Sequence, residues 1–140
     1  MRLFLFGISA FSYWLTVSVA PRESDKIGAG VFAKCEPSTA AIEHLCAWIP
    51  FLPLPVHVST NAQNRKVPSD IVAHVMSFKL RGKVFCRVGN GLYAASPELC
   101  FVQLAQQLSF HELVRAGNVL CGCFFIRPDG TGTLGSRNSL

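Results

Sequence analysis

The sequence predicts an α+β fold, a small antiparallel sheet packed with three to five helices, and three observations predict it. Between Val56 and Ala95 the chain runs through short alternating stretches rich in β-branched residues, punctuated by Gly, Asn and Pro. From Ser96 onward, capping residues and helical spacing mark two helices. Upstream, apolar residues at helical spacing recur in 3–20 and again in 38–49. At 140 residues the chain is long enough to bury one core. Residues 1–127 are expected to form a single domain, and 128–140, rich in Gly, Ser and Thr, a loose tail.

The first element is MRLFLFGISAFSYWLTVSVAPRES, and two readings compete for it. Arg2 precedes an uncharged span from Leu3 to Ala20, and Val17-Ser18-Val19-Ala20 has the small-residue look of a cleavage site, as in an export signal or anchor. Against this, Pro21 follows the cleavage point directly, and Ser9, Ser12, Tyr13, Thr16 and Ser18 dilute the apolar run. On a helix, Phe4, Ile8, Phe11, Leu15 and Val19 form a stripe with Ser9, Ser12 and Thr16 opposite, the pattern of a half-buried helix. The residues alone leave both readings open.

Residues 21–37, with Pro21, Gly28, Gly30 and Pro37, read as a loop. A helix is expected from Ser38, because Ile42, Leu45, Cys46 and Ile49 share a face and Ser38 or Thr39 can cap it. Pro50 ends it, and Pro50, Pro53 and Pro55 make an extended connector. Strands follow in VHVST from Val56, DIVAHVMSF from Asp70, KVFCRV from Lys83 and GLYAA from Gly91. Breaks fall at 61–68, at Gly82 and at the tight turn Gly89-Asn90-Gly91.

In SPELCFVQLAQQL, Ser96 can cap, Pro97 fits the first helical position, and Glu98 favours the positive end of the helix dipole. The buried face is expected to hold Leu99, Cys100, Leu104 and Leu108 with Phe101 and Ala105, leaving Gln103, Gln106 and Gln107 to water. Ser109 and Glu112 then form a capping box for a second helix, which Gly117 is expected to stop.

Half the residues are hydrophobic and 15% are charged, which excludes a disordered chain. A net charge of +5 permits contact with nucleic acid or anionic lipid. The cations are scattered, with small groups at Arg65-Lys66 and between Lys79 and Arg87, so a solvated basic face is the preferred reading. Six cysteines would allow three bridges in an oxidising compartment. The apolar neighbours of Cys46, Cys86 and Cys100 read instead as reduced core positions, and the lone pair Cys121-Gly122-Cys123 is a weak metal signal.

The four histidines, His44, His57, His74 and His111, share no metal-ligand spacing, and no carboxylate pair is flanked by a base-like Lys as a nuclease centre needs. No P-loop, dinucleotide fingerprint or G-x-S-x-G is present. Cysteine and histidine partners can still meet in space, but nothing singles out one pair. Catalytic residue, cofactor and metal are therefore each left unassigned.

The order SAFSYW, PVHVSTNAQNR, DIVAHV and GLYAASPELCFVQLAQQLSFHELVRAGNVLCGCFF resembles a group of actinobacterial proteins related to AbiE-type antitoxin regulators of type IV toxin–antitoxin systems. The resemblance runs to about Phe125. Its motif residues are Ser9, Ala10 and Trp14, His74, Ser96, Pro97, Glu98, Leu99, Leu104 and Ala105, and Leu120, Cys121 and Gly122. It implies a cytoplasmic regulatory or binding module without catalytic activity, and it places Ser9, Ala10 and Trp14 on a core helix rather than a membrane span. It also implies a protein partner, a toxin or a missing domain. Such proteins often carry a winged-helix DNA reader and a nuclease-like domain that this sequence lacks, so a truncated copy is expected. The alternative is a small exported or membrane-anchored protein with residues 1–20 as signal or anchor.

Overall fold

The computed structural model describes residues 2–16, 23–35, 40, 43, 52–61, 67, 69–76, 80–89, 91–121, 124–126 and 132–134. The α+β class holds, but the sheet is larger than expected and mixed rather than antiparallel. Its strands are β1 (Leu3–Leu5), β2 (Lys26–Gly28), β3 (Val56–Thr60), β4 (Ile71–Val75), β5 (Lys83–Gly89) and β6 (Leu92–Ala95), in the order β2-β5-β6-β1-β3-β4. β1 lies parallel to β6 and antiparallel to β3, and β3 lies parallel to β4. β2 and β6 both run antiparallel to β5.

The N-terminal span is corrected most. Leu3-Phe4-Leu5 is an inner strand of the sheet, buried on both faces, and that burial explains why it is apolar at every position rather than alternating. Helix α1 (Gly7–Thr16) begins only after it. The expected apolar stripe holds only in part: Phe4 is buried but belongs to β1, Phe11 is half-buried against the core, and Ile8 is exposed. The fully buried face of α1 is instead Ser9, Ala10 and Trp14, because small side chains are what the close approach to the sheet admits. No helix among the described residues is long and apolar enough to cross a membrane.

Phe4 anchors an aromatic cluster: it stacks on Tyr93 with centroids 4.8 Å apart and meets Phe85 and Phe32 edge-on at 4.8 and 5.2 Å. Such pairs add about 0.5–1.5 kcal/mol each beyond area burial. Phe32 comes from a 3-10 segment, Ala29–Lys34, so the stretch expected to be a loop supplies both β2 and a wall of the core. The helix expected over 38–49 and its cap lie largely outside the described residues.

The strands expected from Val56, Asp70, Lys83 and Gly91 start within a residue of those positions, but β4 ends at Val75, short of Phe78, and β5 takes in Gly89. Gly82 and Gly91 stand at breaks with φ +75° and +74°, and the break expected over 61–68 lies largely outside the described residues. Helix α2 (Pro97–Leu104) starts as predicted: the Ser96 side chain accepts from the Leu99 N–H at 3.3 Å, and Pro97 occupies the first turn. Leu99, Cys100 and Leu104 are buried, but Phe101 and Ala105 are exposed, and Gln103 is buried in their place. Helix α3 (Phe110–Leu120) opens on the Ser109–Glu112 capping box. Gly117 does not stop it. Gly117 sits inside the helix where an added Cβ would come 3.2 Å from the Phe101 ring, so α3 packs tightly on α2 at this point. Beyond it, β7 (Phe124–Ile126) pairs antiparallel with β8 (Gly132–Leu134), the latter inside the stretch expected to be loose.

Candidate functional site

The site is assembled where β1 turns into α1. Gly7 adopts φ +46°, and an added Cβ would run into the Gln107 side chain, so the turn admits only glycine. The first N–H groups of a helix have no partner within it, and neither Phe6 nor Gly7 carries a capping side chain. Helix α2 and the turn directly after it supply the caps. The Gly7 N–H donates to Gln103 Oε1 at 2.8 Å and the Ile8 N–H to Gln107 Oε1 at 3.2 Å. Cys100 Sγ donates in turn to the Gly7 carbonyl at 3.4 Å. Burial pushes the Cys100 thiol far above its ordinary range, which removes it as a nucleophile at neutral pH.

Further along α1, Ser9 Oγ accepts the His57 N–H at 2.8 Å and Trp14 Nε1 donates to the Ala95 carbonyl at 2.8 Å. Small Ser9 and Ala10 let the helix approach the sheet closely. The Ser9, Ala10, Trp14 element is thus the seam between α1 and the sheet.

His57 Nδ1 and His74 Nε2, on the paired strands β3 and β4, are 2.8 Å apart. Their centroids lie 5.1 Å apart and their planes differ by 23°. That separation exceeds the nitrogen distance by about two ring radii, so the nitrogens lie on the line joining the rings. The contact is an in-line N–H···N bond between two neutral imidazoles, one donating and one accepting. It is not the geometry of two lone pairs aimed at a shared ion, and among the described residues no group of three or more His, Cys, Asp or Glu could hold a metal. Phe6 stacks on His74 at 4.0 Å and 9°. Burial lowers both imidazole pKa values, and for His74 the neighbouring His57 charge lowers it further.

Beside this pair lies a cleft of about 310 Å3, walled by Phe6, His74, Met76, Val102, Gln103 and Gln106, with Ala73 and Val75 at its border. Gln103 is only 3% exposed. With Oε1 held by Gly7, its Nε2 is turned toward Met76 Sδ at 3.9 Å, a weak acceptor.

A second concavity, about 480 Å3, lies between α2 and α3 and is lined by Pro97, Glu98, Phe101, Gly117, Leu120 and Cys121. Phe110, Val114, Gly117 and Cys121 follow one side of α3 at spacings of four, three and four, and Phe110 is 76% exposed. Glu98 at the rim pairs with Lys26 at 2.9 Å. Burial works to raise the Glu98 carboxyl, but the hydrogen bond and charge of Lys26, together with hydrogen bonds from the Glu98 backbone and Ser96, hold the carboxyl below its ordinary value.

The motif residues therefore divide. Ser9, Ala10, Trp14, Ser96, Leu99 and Leu104 build the junction of α1, α2 and the sheet, His74 faces the cleft, and Pro97 and Glu98 line the helix groove. Leu120 and Cys121 line the helix groove, Ala105 is exposed at the end of α2, and Gly122 lies outside the described residues. Sequence reasoning missed Phe6, His57, Gln103 and Gln107 as members of one constellation. What the fold and site define is an α+β domain with a mixed six-stranded sheet, a histidine pair on two paired strands and two surface concavities. No family model, curated protein or solved structure matches this chain.

Proposed function

We propose that this chain is a non-catalytic regulatory or binding module of the kind found in AbiE-type antitoxin regulators, acting in the cytoplasm through a protein partner, a toxin or a domain on another chain. The observation that carries the reading is the apolar shoulder of α2 and α3. Phe101, Phe110 and Val114 stand in solvent beside the helix groove, while the same helices bury Leu99, Leu104, Ala116 and Leu120. Apolar surface left out next to a concavity is characteristic of partner contact.

The groups that offer chemistry support the same reading, because they serve the scaffold. Cys100 donates to Gly7, His57 and His74 bond each other, and Glu98 holds Lys26. The exported or anchored alternative has the sheet against it, since removing residues 1–20 would take out β1, which β6 and β3 both pair with.

The test is titration of the purified chain with the product of its adjacent reading frame, followed by calorimetry. A complex of micromolar affinity or tighter is expected, weakened about tenfold or more by Phe110→Ser or Phe101→Ser with melting unchanged. No complex, together with steeply salt-dependent binding to duplex DNA, would shift the reading to a nucleic-acid module.

A further inference from the structure

We infer that the outer edge of β4 takes up an extended segment of a protein partner by strand addition, with one apolar side chain of that segment seated in the cleft beside Gln103. The inference extends the binding-module reading to a second surface, away from the α2–α3 shoulder.

The register decides which main-chain groups are available. The Val56 N–H donates to the Asp70 carbonyl and the Met76 N–H to the Thr60 carbonyl, so even-numbered residues from 70 to 76 turn their main chain toward β3. The N–H and C=O groups of Ile71, Ala73 and Val75 then point outward, and among the described residues no strand lies beyond β4.

The two edges of this sheet differ. β2, at the other end, carries Lys26 and a register shift between Ile27 and Gly28, devices that blunt an edge. β4 reads IVAHV in unbroken register, with no Pro, Lys or Arg, and Val72 and Val75 are exposed. An open edge costs a protein aggregation risk, and among the described residues β4 keeps one.

The cleft lies along that edge and shows what accompanies a strand there. Ala73 and Val75 border it, and because side chains alternate they do so from the face opposite His74, bringing the edge main chain to the rim. Above it, buried Gln103 presents amide N–H groups to no better acceptor than the Met76 sulfur. A peptide carbonyl meets that donor without charge, in keeping with the neutral imidazole of His74. The apolar walls, Phe6, Val102 and Met76, leave room for one aliphatic or aromatic side chain. A second copy of this chain fits less well: on the His74 face of this edge, His74 and, just past β4, Met76 are engaged with His57 and Gln103, and Val72 alone would remain to enter the cleft of a twin.

The test uses the whole chain and a phage-displayed library of random peptides, with fluorescence anisotropy on the selected sequences. Alternating apolar sequences should be enriched, and exchange of the Ile71, Ala73 and Val75 amides should slow on binding. Val75→Pro removes an outward N–H without touching the β3 ladder, so it should weaken binding about tenfold or more with an unchanged melt. Val102→Trp fills the cleft and should act likewise, and serves if the proline variant misfolds. Phe110→Ser should leave peptide affinity unchanged. Failure to select binders, binding insensitive to both edge variants, or a dimer abolished by Val75→Pro would each overturn the inference, and none would bear on the α2–α3 contact.

Discussion

Gln103 gives the sharpest test of how this domain is held together, because its role is the reverse of what a glutamine in the last turn of a short helix suggests. Gln103→Ala would leave the Gly7 N–H buried without its acceptor, which costs about 1–3 kcal/mol. It also removes a buried methylene worth about 0.8 kcal/mol. The expected loss is about 2–4 kcal/mol, and with an m-value of about 2 kcal/mol/M the urea midpoint should fall by about 1–2 M. Gln106→Ala, at an exposed position in the turn just after that helix, should stay within about 0.5 kcal/mol. Urea titration followed by far-UV circular dichroism reads both, provided the m-values agree. A Gln103→Ala midpoint indistinguishable from Gln106→Ala would refute the cross-helix cap and the cleft built on it.

Leu104 is fully buried, so Leu104→Ala should cost about 2–5 kcal/mol in the same assay, while Ser96→Ala, losing only a cap, should cost about 1 kcal/mol. Of Cys100 and Cys121, the exposed Cys121 should alkylate at once in the native protein and Cys100 only on unfolding, which mass spectrometry after timed iodoacetamide treatment resolves. The His57 and His74 pKa values lie below those of the unfolded chain, so the unfolded state takes up protons first as pH falls below about 6.5. The stability this pair contributes is present above that pH and is lost as pH falls through the folded pKa values; stability against pH should flatten over that window in a His57→Gln/His74→Gln double variant. Intact mass of the protein from its native cell should retain residues 2–20, and a mass lacking them would contradict a sheet built on β1.

What was legible followed from local physics. The Ser96 and Ser109 caps, the β3 to β6 runs and the glycine breaks each depend on a few neighbouring residues, and they stand where their side chains indicated. What was not legible depended on distant pairing. Leu3-Phe4-Leu5 is too short to show a period of two, and in an inner strand alternation disappears, so it merged with the following helix into one apolar span. Phe101 and Gln103 exchanged environments for a related reason. Helical spacing says which residues share a face, but the choice of Gln103 over Phe101 was made by the N-terminus of α1, a contact 96 residues away in sequence. The histidine pair was equally hidden, since 17 residues and a strand crossing separate its members.

One signal was nevertheless present in the sequence and points to the junction. β1 and β6 are parallel neighbours, and each is followed at once by a helix, so α1 and α2 leave the sheet in the same sense. α2 begins with its own cap at Ser96. α1 begins with Phe6-Gly7, which caps nothing, and a helix whose first amides are removed from water must find acceptors elsewhere. The acceptors come from Gln103, in the last turn of α2, and Gln107, four residues on in the turn that directly follows it. An uncapped helix start beside a glutamine pair at helical spacing is thus a readable demand and its answer. Meeting that demand also fixes the Gln103 amide, with its acceptor end spent on α1 and its donor end turned into the cleft, so the bond that seats the N-terminal helix is the one that gives the cleft its polarity.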